Sequence, residues 1–301
     1  MAHHNHNNSH SPERNFNSAF IIGILLNVIY IIVEVVYGVI INSMALLADA
    51  GHNFSDVLGL LLAWGAAYLA KTATTEKRTY GLRKSTILAA LFNAIILMIA
   101  VGAISIEAIR KLIYPEPVQG STMMIVAGIG FVINAITALL FMKGREKDLN
   151  IKGAFLHMAA DAGVSLGVVL AGLAIFYTNW LWIDPAISLV IVIVITIGTW
   201  SLLKDSFSLS MDAVPRGIDL KEVENYFLNL NGVTEVHDLH IWGMSTTESA
   251  LTVHLVIPEE QKDDYFLKKI CDELHLKFGI EHPTIQIEKS AQGVNCETGN
   301  V

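Results

Sequence analysis

Long apolar runs separated by short polar breaks occupy the first 204 residues, and short alternating segments follow. A bilayer span needs about 20 mostly apolar residues. Six runs qualify: 16–41, 44–69, 84–112, 120–142, 149–177 and 182–204. Asn42 and Ser43 divide the first pair, and Lys71 to Lys84 (KTATTEKRTYGLRK) divides the second from the third. Tyr114 to Gly120 (YPEPVQG) is a Pro/Gly turn, Lys143 to Lys152 is charged, and Asn179 and Trp180 precede the sixth run. Beyond residue 211 the period changes. Leu220 to Leu230 has apolar residues at helical spacing, while VTEVHDLHIW (233–242), SALTVHLVI (249–257) and PTIQIE (283–288) read as strands. Gln261 to Phe278 reads as a helix that Gly279 stops. The pattern predicts a polytopic α-helical membrane protein with six transmembrane helices plus a small cytoplasmic α/β C-terminal domain. Its segments are a polar tail over 1–15, a membrane domain over 16–211, the α/β domain over 212–290 and a loose end over 291–301.

Composition agrees. The chain is 53% hydrophobic and 16% charged, where soluble domains carry about 25% charge. This excludes an ordinary soluble enzyme and a disordered protein. The net charge of −8 argues against a nucleic-acid partner. Residues 1–211 hold 13 Lys+Arg against 12 Asp+Glu, and residues 212–301 hold 7 against 16, so the acidity lies in the tail domain. Lys71, Lys77, Arg78, Arg83, Lys84, Lys143, Arg145, Lys147 and Lys152 cluster in two loops. The alternate loops hold almost none, with Arg110 and Lys111 the exception. Basic loops face the cytoplasm, so both termini are expected there. The first 15 residues are polar and the first apolar run is long enough to span, so no cleavable signal peptide is expected. Cys271 and Cys296 are too few for a disulfide framework and fit a reducing compartment. Cys271 reads as a packing residue of a helix and Cys296 stands on the loose end.

The informative residues are the ionisable ones at membrane depth, which are costly there and mark function by default. The second run contains ALLADAGHNFSD (45–56) and the fifth HMAAD (157–161). Each holds a His and an Asp four apart, on one face of a helix. Asp56 is twelve residues from Met44 and Asp161 twelve from Leu149. At 1.5 Å per residue both lie about 18 Å along their helices, near the midplane of a core about 30 Å thick. His52, Asp56, His157 and Asp161 thus form a four-ligand set suited to tetrahedral Zn²⁺. Two carboxylates and two neutral imidazoles sum to −2, which a divalent ion neutralises. Without the ion, protons should replace it. Gly59 and Gly163 follow the two pairs, a short similarity that suits two inverted three-span halves.

Other polar positions are less specific. Glu34, Asn27 and Asn93 either line a water-filled access path or bond between helices. Asp49, one turn before His52, is an access-path carboxylate or a helix-end residue. Asp184-Pro185 with Ser188 reads as the start of the sixth helix.

Several stretches carry a family resemblance: SMALLADAGHNFSD (43–56), YGLRKSTILAALFNA (80–94), HMAADAGVSLGVVLAG (157–172), WIDPAISL (182–189) and VHDLHIWGM (236–244). From about residue 16 to 290 the chain resembles the cation diffusion facilitator family of zinc transporters. The resemblance implies a dimeric exporter that exchanges Zn²⁺ for protons by alternating access, with a metallochaperone-like cytoplasmic domain. By motif it assigns His52, Asp56, His157 and Asp161 to the transport site. Two His and two Asp are similar to the zinc-selective branch, with Cd²⁺ as a second substrate. The loop at 71–84 has no His, so the extra metal site of some relatives is not expected there. The loop at 143–152 lacks a His-rich insert, which points to a bacterial-type plasma-membrane protein. His237, His240 and His254 fall on two adjacent predicted strands and Glu288 on a third. The family's cytoplasmic metal sites match His237, His254 and, in one branch, Glu288; the alternative is ordinary polar strand positions. HHNHNNSH near the start holds four His that collect metal weakly or form a solvated tail.

Two other classes fit the sequence less well. A membrane-embedded zinc enzyme needs an open coordination position and a general base; four protein ligands close the site, and no HExxH occurs. A metal sensor without transport would leave the tail as the working part.

Overall fold

The computed structural model describes residues 16–142, 149–258 and 264–290, with the backbone alone over 16–24, 26, 140–141 and 149–154. The His-rich tail, Lys143, Arg145, Lys147 and the end with Cys296 lie outside the described residues. Six long helices come first: α1 (Phe16–Ile40), α2 (Met44–Ala70), α3 (Ser85–Ile113), α4 (Gly120–Met142), α5 (Leu149–Thr178) and α6 (Ile183–Ser210). α2 to α6 are each long and apolar enough to cross a membrane, and α1 is apolar over Asn27–Ile40. The observed ends agree with the hydropathy pattern except at α6, which runs six residues past the expected 204. Lys204 and Asp205 end the apolar run, but nothing in LLKDSFSLS breaks a helix, so the backbone ladder continues beyond it. The α1–α2 and α5–α6 turns place Asn42 (φ 61°) and Asn179 (φ 54°) in the left-handed region. Asn is one of the few L-residues that visits it readily.

The chain forms two compact units. The first extends to Leu58 and resumes over Leu97–Thr196. Its apolar core joins Ala45, Leu46 and Ala48 of α2 to Leu97 and Val101 of α3, Met123 and Ala127 of α4, Val168 and Ile175 of α5, and Ile191 and Ile195 of α6. α4 and α5 approach through glycine: a Cβ on Gly120 would stand 2.5 Å from the Gly172 carbonyl oxygen. Close packing through small residues is how helices associate where lipid removes the hydrophobic drive. Asp184 shows what the sequence pattern missed. It does not simply start its own helix. Its carboxylate accepts from the Ser43 hydroxyl (2.5 Å) and from the backbone N–H groups of Met44 (2.7 Å) and Ala45 (3.2 Å). It therefore caps α2 from another helix, satisfying donors that open a helix N-terminus.

The second unit comprises Gly59–Ile96 and the chain from Ile197 on. Its small domain contains α7 (Leu220–Leu228), β1 (Glu235–Gly243), β2 (Ser249–Val256), α8 (Asp264–Phe278) and β3 (His282–Glu288). The sheet order is β1-β2-β3, with β1 antiparallel and β3 parallel to β2. α8 supplies the crossover that a parallel pair requires. Asp219 caps α7 by accepting from Lys221 N–H at 2.8 Å, and Gly279 (φ 64°) ends α8 as expected. Val223, Phe227, Ile241, Leu251, Val253, Leu255, Ile270 and Leu274 form the core. Within the same unit the α2–α3 loop reaches the small domain. Arg83 donates to Glu248 (2.7 Å) and bonds His282 (2.9 Å), Lys84 donates to Asp212 (2.6 Å), and Thr86 accepts from Thr246 N–H (3.1 Å).

Candidate metal centre

The centre is built on α2 and α5. Their i, i+4 spacing stacks His52 over Asp56 and His157 over Asp161. The structure brings all four side chains together. His52 Nε2 lies 3.2 Å from Asp161 Oδ1 and 3.8 Å from Asp56 Oδ2. His157 Nε2 lies 3.3 Å from Asp56 Oδ2 and 3.6 Å from Asp161 Oδ2. Each imidazole therefore faces both carboxylates. With metal–ligand bonds of about 2.0–2.1 Å, a tetrahedron has edges of about 3.3 Å. The four observed His–Asp separations lie near that edge. His52, Asp56 and Asp161 have ligand atoms within 4.8 Å of one another, and His157, whose ring centre stands 6.2 Å from that of His52, would close in to complete a tetrahedron.

Burial is unequal. The Asp161 side chain is 3% exposed, Asp56 33% and His157 45%. One wall of the centre is closed by protein and the opposite wall is not. The Nδ1 atom of His52 is buried with no hydrogen-bond partner. A ligating imidazole usually gives its second nitrogen to an orienting acceptor, and in this conformation His52 has none there.

Glu34 and Asp49 are fully buried in the same unit. Tyr30 donates to Glu34 at 2.6 Å, and the Asn53 amide reaches Glu34 at 3.2 Å and Asp49 at 3.5 Å. The Ser165 hydroxyl donates to Asp49 at 3.1 Å. Sequence reasoning missed Tyr30, Asn53 and Ser165. The available signal was spacing: Tyr30 and Ser165 each stand four residues from an intramembrane acid, Glu34 and Asp161, and Asn53 four from Asp49. Asn93 packs over Gly59, where an added Cβ would stand 3.0 Å from its amide nitrogen. Its Oδ1 is buried without a partner.

In the small domain His237 and His254 are cross-strand partners, with ring centroids 5.1 Å apart. Glu288, 4% exposed, places Oε2 3.3 Å from His237 Nε2 and Oε1 2.9 Å from His254 Nδ1. These three could hold a metal ion. His240 does not join them. The β1 register shifts between His237 and His240, where Asp238 takes φ 53°. His240 pairs with Asp238 at 3.1 Å and stands opposite Thr252, two residues along β2 from His254.

Polytopic helices carrying a two-His, two-Asp set, with Asp161 its buried member, followed by an α/β domain, suit a membrane transporter of divalent cations as a class. Family comparison agrees. Residues 20–209 match the cation efflux transmembrane domain and residues 215–290 the cation efflux protein cytoplasmic domain. The chain belongs to the cation efflux family, the cation diffusion facilitators. It is a multi-pass membrane transporter and not an enzyme. It is 36% identical over 286 residues to the metal cation efflux system protein CzcD of Cupriavidus metallidurans, covering 95% of this chain and 89% of the relative. It is 34% identical over 300 residues to the zinc transporter ZitB of Escherichia coli, covering 98% and 96%. A cadmium, cobalt and zinc/H(+)-K(+) antiporter of Bacillus subtilis is 33% identical over 293 residues, covering 96% and 92%.

Proposed function

We propose that this protein is a secondary active exporter of Zn²⁺, and of Cd²⁺, driven by exchange for protons. His52, Asp56, His157 and Asp161 bind the ion at the membrane midplane. The observation that carries this reading is the convergence of the four side chains at tetrahedral-edge separations. The ion is the cargo, and the residues act by exchanging it for protons: the set has charge −2 when ionised, and burial of that charge without a cation calls for protons. The names of the ZitB and Bacillus subtilis relatives, which cite zinc and, for the latter, H⁺, support the substrate and the counter-ion. On this reading the chain is a homodimer in the plasma membrane, contacting lipid bilayer and no nucleic acid, with both termini cytoplasmic. His237, His254 and Glu288 bind a regulatory zinc in the tail.

The test is zinc flux in proteoliposomes. An opposing proton gradient should drive zinc accumulation, and a protonophore should collapse it. Accumulation that ignores the protonophore would refute proton exchange. Absence of zinc flux with folded protein would refute transport through this centre.

A further inference from the structure

Two buried carboxyls stand outside the four-ligand set. Glu34 comes from α1, which supplies no ligand to that set. Its partners are the Tyr30 hydroxyl, 2.6 Å away, and the Asn53 amide, 3.2 Å away. Asp49 shares that amide and accepts from Ser165. All of these donors are neutral. The α4 helix packs against Tyr30 at Gly130, where an added Cβ would strike the Tyr30 hydroxyl, and α4 carries no titratable residue. On α2 and α5 the ionisable groups around Asp49 are His52 and Asp161. Among the described residues neither Glu34 nor Asp49 faces a Lys or Arg.

Two ionised carboxylates converging on one amide, dry and without a cation, would be strongly unfavourable. One of them must hold a proton. In the metal-free pair Asp49, a turn from His52 on the same helix, faces that imidazole and Glu34 does not, so the proton belongs on Glu34. The positive charge of an ion arriving at the centre then favours loss of that proton.

The wiring couples this proton to the cargo. Asn53 follows His52 on α2, and Ser165 lies one turn beyond Asp161 on α5. A shift of α2 against α5 that rearranges the ligands also moves both donors relative to Glu34 and Asp49. We infer that Glu34 carries one of the protons exchanged for metal. It holds the proton while the pair is dry and releases it to water when the helices move. This rests on the transport reading above, because it assumes an exchange cycle; its own observations lie outside the ligand set. One proton leaves a carboxylic acid, one carboxylate remains, and the reverse step restores it.

The experiment titrates zinc into the full-length purified protein in weakly buffered detergent solution and counts protons released. Metal binding to protonated groups releases protons in proportion. Glu34→Gln should release about one proton fewer per zinc than wild type, and the logarithm of its apparent affinity should lose about one unit of slope against pH. Glu34→Asp, which keeps the acid, should restore both. An unchanged count and slope in Glu34→Gln would overturn the proposal, as would a Glu34→Asp variant that behaves like Glu34→Gln. If Glu34→Gln fails to fold, infrared difference spectra of the wild type decide. Zinc should remove a protonated-carboxyl band that Glu34→Asp displaces; a band untouched by zinc refutes the assignment. Asp56→Ala separates the two readings. Wild-type zinc affinity in that variant sinks the four-ligand centre, whereas the Glu34 proton count compares zinc-bound with zinc-free protein whatever the ligands are.

Discussion

Removing Asp161 should damage zinc handling more than removing Asp56, although each supplies one carboxylate. The difference is water. The Asp161 side chain is 3% exposed and contacts both imidazoles, at 3.2 and 3.6 Å. Asp161→Ala leaves a dry gap beside two nitrogen ligands, and nothing enters to replace the lost oxygen. The Asp56 side chain is 33% exposed, so in Asp56→Ala a water takes the vacated position. Loss of an outer-shell partner alone costs about 10–100-fold in metal affinity. Asp161→Ala should reach or exceed the top of that range, about 100-fold or ~2.8 kcal/mol. Asp56→Ala should fall near its lower end, about tenfold. Both variants should transport near background at low zinc, and only Asp56→Ala should recover flux as zinc is raised. Zinc-dependent uptake in proteoliposomes gives the concentration for half-maximal flux, and calorimetry gives the binding constant. Size-exclusion chromatography checks that both variants fold. Equal losses, or a larger loss in Asp56→Ala, would refute the idea that burial grades the ligands. Normal flux in either variant would remove that residue from the mechanism.

Three further outcomes are expected. Asp184→Ala strands the Met44 and Ala45 N–H groups and the Ser43 hydroxyl, at about 1–3 kcal/mol for each buried unsatisfied group. Its thermal midpoint in detergent should fall clearly, and that of Asp184→Asn less; equal stability of all three proteins would contradict the cap. His52→Asp makes the centre oxygen-rich, which favours harder ions, so competition flux should show a narrower preference for Zn²⁺ over Mn²⁺, and a preserved or wider one would mean that these ligands do not set selectivity. In the dimer, zinc should shorten the distance between labels on the two acidic tails, and His237→Ala with His254→Ala should abolish that change while transport at high zinc persists; a wild-type response in the double variant would leave the tail as a platform for dimerisation.

Hydropathy located the long helices because a bilayer demands apolar length, and period-two alternation located the strands. The two His/Asp pairs were legible because i, i+4 spacing is local and their depth follows from residue counting. What remained hidden was tertiary. Asp184 looked like an ordinary helix start, since no sequence pattern reveals that its carboxylate reaches α2. His237 and His240 are three apart, which regular alternation would put on opposite faces of a strand; the register shift at Asp238 instead sets His240 opposite Thr252, two residues along β2 from His254, where it pairs with Asp238 and stays outside the His237, His254 and Glu288 group. Tyr30, Asn53 and Ser165 are single polar residues among apolar ones, and only packing discloses that they share Glu34 and Asp49. Surface Glu116 shows the same limit. The Asn42 amide, then Lys111 and Arg110, hold its carboxyl below the usual range, and the first of these three is far away in sequence.

The division of the ligands between two helices has a mechanical consequence. Within α2 the helix fixes the backbone spacing of His52 and Asp56, and α5 does the same for His157 and Asp161. The contacts free to change are those across the gap, His52 to Asp161 and His157 to Asp56. The centre is thus two rigid jaws, one of them stiffened by the glycine-mediated seam between α4 and α5. On the proposed reading an ion between the jaws would act as a rivet, and its affinity would measure their spacing. Parting them by about an ångström exceeds the ±0.2 Å tolerance of a good site, so a small hinge movement suffices to turn a tight grip into release.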